Sequence, residues 1–148
     1  MVAKDPVPLL KLSFLVGAVA DFAVGVNWLL ISLGYAVPNV VASFEGSGAD
    51  YRFAMYICTL FMFGWTGILI WGYAEPLERR GLLIITASLL AVSIAVELLY
   101  FRHIISDTGL AFGVALRVLI ISKFTFSYVY SIRKNGWRCA PARSFPKA

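Results

Sequence analysis

Hydrophobic and polar positions divide the chain into four long apolar stretches, about Leu12–Gly34, Phe53–Tyr73, Gly81–Phe101 and Gly109–Ile132. Each reaches the roughly 20 residues needed to cross a hydrocarbon layer about 30 Å thick at about 1.5 Å of helical rise per residue. The polar breaks between them are short, apart from Tyr35–Arg52, which carries Pro38 and the run Glu45-Gly46-Ser47-Gly48. No internal repeat or low-complexity segment is apparent. The pattern predicts an all-α fold, an integral membrane four-helix bundle over residues 1–134. A basic tail follows over 135–148.

Composition agrees with this pattern. Apolar residues make up 60% of the 148 positions and charged residues 14%, against about 45–50% and about 25% in soluble domains. A soluble domain of this size could not cover so much apolar surface, whereas a lipid solvent has no need to. The start of the chain also contains Ala18-Val19-Ala20, which fits a signal-peptidase site. The apolar stretch before it is short and hydrophobicity runs on past it, so an uncleaved first span is expected.

The formal charge of +5 does not point to nucleic acid, because no basic stripe is interleaved with aromatics. The cations sit instead at the ends of the apolar runs. Lys4, Lys11, Arg79, Arg80, Arg133, Lys134, Arg138, Arg143 and Lys147 fall on one side, with Arg52 and Arg102 on the other. The positive-inside rule then places both termini and the Pro76–Arg80 turn in the cytoplasm, giving a multi-pass protein of the cell (inner) membrane. Trp71, Tyr73, Tyr100 and Trp137 fall near span ends, as interfacial aromatics do.

Four ionisable residues lie inside the spans: Asp21, Glu97, Arg117 and Lys123. A charge near the middle of a membrane helix costs roughly 2.5–3.5 kcal/mol on insertion scales, so each should face the bundle and find a partner. Counted from the cytoplasmic side, Asp21 lies about 13 Å deep and Lys123 about 10 Å, while Asn27, Glu97 and Arg117 lie at about 18–24 Å. Depth therefore suggests a lower pair, Asp21–Lys123, and an upper cluster of Glu97, Arg117 and Asn27. Ser93, one turn before Glu97, joins the upper cluster as a candidate binding residue. Such charges either line a path for protons or substrate, or fix helix order as neutralised pairs.

Helical spacing adds polar and small-residue stripes. Gly17, Asp21, Gly25 and Trp28 share one on the first span, and Thr86, Ser93, Glu97 and Tyr100 share one on the third. Gly109 and Gly113 lead to Arg117 on the fourth. Met55, Thr59, Met62, Thr66 and Tyr73 share a face of the second, which would suit either helix packing or an apolar ligand cavity. In the second connection Pro76 stops a helix, Glu78 suits the start of the next, and Arg79 and Arg80 lie at headgroup level, where they can hold lipid phosphates.

Some chemistries are not supported. The single His103 gives too few ligands for a zinc or bis-histidine haem site, so neither metal nor cofactor is expected. Cys58 and Cys139 form no CxxC, and a disulfide between them is not expected.

The segments Asp50-Tyr51-Arg52-Phe53-Ala54-Met55, Gly64-Trp65-Thr66 with Trp71, and Pro76-Leu77-Glu78-Arg79-Arg80-Gly81 resemble a pattern of small prokaryotic four-span proteins. That resemblance implies topology and no mechanism. Phe14-Leu15-Val16-Gly17 with Asp21 resembles the GtrA-like family in the first span only. That resemblance implies a link to movement of polyprenol-linked sugars, although the second span lacks that family's Asn-Arg and aromatic pattern.

The residues favour a non-enzymatic membrane protein, an accessory subunit or a binder of a lipid or other apolar ligand, because no nucleophile–base pair or phosphate loop is visible. Its expected partners are membrane lipids, with a larger membrane complex or a homo-oligomer beside them. A second reading is an oligomeric transporter with Asp21 or Glu97 as coupling acid. A third is a membrane enzyme acting on a lipid or isoprenoid, with Glu97 as acid–base and Arg117 as anion clamp.

Overall fold

A computed structural model describes residues 5–39 and 46–135. Among them are four α-helices: α1 (Val7–Ser32), α2 (Ala49–Ala74), α3 (Gly81–Val96) and α4 (Asp107–Asn135). A five-residue π-helix, Glu97–Phe101, continues α3. Each of the four apolar stretches is long and apolar enough to cross a membrane. The helix of the first stretch begins earlier, at Val7, and stops at Ser32, and those of the second and fourth extend past the apolar limits by a few residues. The tail over 136–148 lies outside the described residues, as do Trp137 and Cys139.

The turns that close the helices are written in the sequence. At the end of α1, Gly34 stands at a φ of 93°. Its N–H donates to the Ile31 carbonyl and that of Tyr35 to the Leu30 carbonyl, both at 3.0 Å, which forms the Schellman arrangement that favours glycine. Arg52 then donates from Nε to the Ser32 carbonyl at 3.0 Å, covering a helix end that α1 leaves open. On α4, Asp107 sits in the first turn and Arg133 and Lys134 in the last, both favourable to the helix dipole.

The helices form two hairpins, α1 with α2 and α3 with α4, and the hairpins join at one end. We call this the terminal end, since the start of α1 and the finish of α4 lie there. The opposite end, where α1 meets its loop and the π-helix leads into α4, is the loop end. The core of Leu10, Phe14, Ala18, Leu69, Leu83, Ala87 and Phe124 takes residues from all four helices, and all belong to the terminal half. Glycine permits this junction. A methyl group at Gly17 would meet Phe124 at 2.7 Å and Leu69 at 3.1 Å, and one at Gly72 would enter the ring of Phe14. Between α1 and α4, the Ser13 and Ser127 hydroxyls bond at 2.7 Å in a fully buried contact. Trp65 donates to the Thr86 hydroxyl at 3.3 Å between α2 and α3.

The face of α2 that could have lined a cavity packs against α1 and its loop instead. Met55, Thr59 and Thr66 are buried, and the Met62 Cβ would lie 3.3 Å from a methyl group at Gly25. Both threonines turn their hydroxyls back onto carbonyls one turn earlier, at 2.8 Å, so neither offers a donor to a ligand.

Candidate functional site

Among the described residues, one ion pair lies within the four apolar stretches, and it joins α4 to the π-helix. Arg117 donates from Nη1 to Glu97 Oε1 at 2.6 Å and from Nη2 to Oε2 at 2.7 Å, a bidentate fork. Its Nη1 also donates to Ser93 Oγ at 3.1 Å, and its Nε to the Gly113 carbonyl at 3.1 Å. Gly113 is one turn before Arg117, so the side chain runs back along its own helix before crossing to α3. Sequence depth and phase had grouped Glu97, Ser93 and Arg117, and the structure brings these three together.

Asn27 does not belong to that group. Its amide donates to the Pro38 carbonyl at 3.0 Å, within the first hairpin. The loop after α1 folds back and brings Asn39 between α1 and α2, where its carbonyl oxygen accepts from Trp28 Nε1 at 3.2 Å. The Asn39 amide approaches Tyr51 Oη at 3.4 Å and Met55 Sδ at 3.9 Å. Depth put Asn27 at the right level, but the folded-back loop supplies its partner first.

Nor does the expected Asp21–Lys123 pair form. Among the described residues no ion pair or hydrogen bond joins the two. The reason is helical phase. Asp21 shares the i, i+4 stripe of Ser13, Gly17 and Gly25, and the α4 positions that meet this stripe, at Gly17 and Ser13, are Phe124 and Ser127. Lys123 precedes Phe124 and is therefore turned about 100° away around α4. Both side chains are half-buried.

Arg79 is engaged within its own segment. It donates to Glu75 Oε2 at 2.6 Å and to the Trp71 carbonyl, and its guanidinium lies 3.7 Å from the centre of the Trp71 ring. Arg80 is half-buried beside it. Lys11 stands over Tyr73 at 5.1 Å and Lys134 over Tyr130 at 5.9 Å, so cations and aromatics form one belt at the terminal end.

Residues missed by sequence reasoning complete the loop-end site. A groove of about 560 Å³ is lined by Leu89, Val92, Ser93, Val96, Glu97, Phe101, Ile104 and Ile105. Leu89, Val92 and Val96 follow helical spacing beside Ser93 and Glu97, a signal that could have revealed the wall. The π-helix has no such signature. It widens the backbone at the carboxylate, and π-helical turns often occur at functional sites. The groove's polar floor is Ser93 and Glu97. The Glu97 side chain is 20% exposed, against 9% for Arg117, which stands behind it. No group of residues suited to holding a metal ion occurs among the described residues.

Comparison with family models, curated proteins and solved structures finds no match to this chain.

Proposed function

We propose that this chain is a non-enzymatic, multi-pass protein of the cell membrane that holds an apolar, chain-like ligand in the groove between α3, the π-helix and the turn that leads into α4. The observation that carries this reading is the groove itself. It is apolar along its length, opens outward through the exposed Val92, Val96 and Ile104, and carries one charged side chain, Glu97, in its lining. Its size falls within the roughly 300–1,000 Å³ usual for small-molecule sites, which likewise combine apolar walls with few polar groups. Membrane lipids supply such molecules directly. Ligand handover would involve a larger complex or a second copy of the chain.

Both termini lie in the cytoplasm on this reading, with Arg79 and Arg80 at headgroup level as anchors. A maleimide that cannot cross the membrane should therefore modify a Ser47→Cys variant in intact cells. Reaction only after permeabilisation would invert the topology.

The binding test is native mass spectrometry of protein purified in mild detergent. Wild type should retain lipid-sized mass, Val92→Trp should lose it by filling the groove, and Leu119→Trp, on another exposed face, should keep it. Equal retention in all three would overturn the binding reading. A second reading, an oligomeric transporter, is favoured by the half-buried Asp21, which stands inside the bundle with no ion pair among the described residues. Proton-coupled uptake into proteoliposomes that is lost in Asp21→Asn would support it.

A further inference from the structure

We propose that the occupant of the groove is an uncharged hydrocarbon-chain molecule ending in a hydroxyl-type hydrogen-bond donor, which Glu97 accepts. This rests on the binding reading above and specifies its chemistry. The first argument concerns donors. A guanidinium has five N–H groups, and four of those on Arg117 are committed to Gly113, Ser93 and the two oxygens of Glu97. Arg117 also does not line the groove. Ser93 has spent its own hydrogen on the Leu90 carbonyl at 2.8 Å. An anionic head entering the groove would thus meet no free donor at its floor.

Acceptors are a different matter. Each Glu97 oxygen takes one bond from Arg117, and a carboxylate offers about four lone-pair sites in all, so acceptor capacity remains on the face that lines the groove. The floor therefore presents acceptors, and the matching ligand group is a donor.

Charge narrows the class further. Glu97 and Arg117 neutralise one another, so a third charge beside them in a low-dielectric setting would have no counter-charge. An ammonium head would add that third charge and would lie near Arg117. A hydroxyl donates one bond without adding charge, and its chain covers Leu89, Val92 and Val96.

The test uses the full chain in zwitterionic nanodiscs with tritiated tetradecan-1-ol as probe, read by scintillation proximity. Unlabelled competitors share one chain length: tetradecanol, its methyl ether, tetradecylammonium and tetradecyl phosphate. Removing the donor as the ether should weaken competition at least about tenfold, as expected for a hydrogen bond to a charged acceptor. Both charged heads should also compete more weakly than the alcohol. An ether equal to the alcohol, or a charged head that competes best, would overturn the donor assignment while leaving the groove reading standing. Absence of saturable binding by every probe, or full tetradecanol binding in Val92→Trp, would overturn the groove reading itself.

Discussion

Asp21–Lys123 and Glu97–Arg117 are two acid–base combinations that sequence depth placed at matching levels, yet only one becomes an ion pair. At the loop end Arg117 of α4 forks onto Glu97 of the π-helix and also donates to Ser93 of α3. At the terminal end the position opposite the inward stripe of α1 is taken by Phe124, and Lys123 is displaced around its helix. The difference teaches that depth is necessary for a buried pair and phase decides it. It also separates two kinds of region. The terminal end is closed by aromatic rings over glycine, whereas the loop end of the second hairpin is open beside its charged pair.

The largest effect that would sharpen this contrast is removal of one partner at the loop end. Arg117→Met leaves Glu97 without its fork, and losing one side of a buried pair costs about 3–5 kcal/mol. The partial exposure of Glu97 puts the expected loss at the lower end of that range. Unfolding in detergent checks it, and Glu97→Gln with Arg117→Met should be more stable than Arg117→Met alone. A double variant no better than the single would break the assignment of this pair.

Next comes the terminal junction. Gly17→Ala places a methyl group against Phe124 and should cost about 1–3 kcal/mol by overpacking. Gly64→Ala, on an open face with no atom within 4 Å of the added methyl, should leave the midpoint unchanged or raise it. Equal losses at both sites would show that the tight α1–α4 contact is not what holds the hairpins together.

A smaller effect is expected at the serine contact. Ser127→Ala removes the bond to Ser13, which keeps its other bond to the Leu9 carbonyl at 3.0 Å. The loss should be about 0.6 kcal/mol, the average of such contacts between membrane helices.

The smallest effect belongs to the pair that does not form. In a double-mutant cycle of Asp21→Asn and Lys123→Met, the coupling energy should be near zero, within the roughly 0.3–0.5 kcal/mol scatter of independent sites. Coupling of the size expected at Glu97–Arg117 would erase the comparison.

Much of the architecture was legible because four stretches are long and apolar enough to cross a membrane. Runs of about 20 apolar residues specify four helices by length alone. The Glu97–Ser93–Arg117 cluster was legible too, since a charge so costly in lipid must find a partner and few candidates share its level. Asn27 was misplaced because the return of Pro38 and Asn39 between α1 and α2 is a tertiary event, with no periodicity to announce it. Lys123 was misplaced because its phase matters only relative to Phe124, whose role depends on Gly17 of another helix. The π-helix at Glu97 and the groove beside it depend on backbone geometry, which a list of apolar residues does not record.

Photolabelling tests most directly whether the open loop end of the second hairpin holds a ligand. A diazirine-bearing fatty alcohol should label the groove residues Leu89, Val92, Val96 and Ile105 saturably, and unlabelled tetradecanol should protect them. Labelling spread over Phe61, Leu99 and Leu119 in proportion to exposure, with no protection by unlabelled alcohol, would contradict a binding groove.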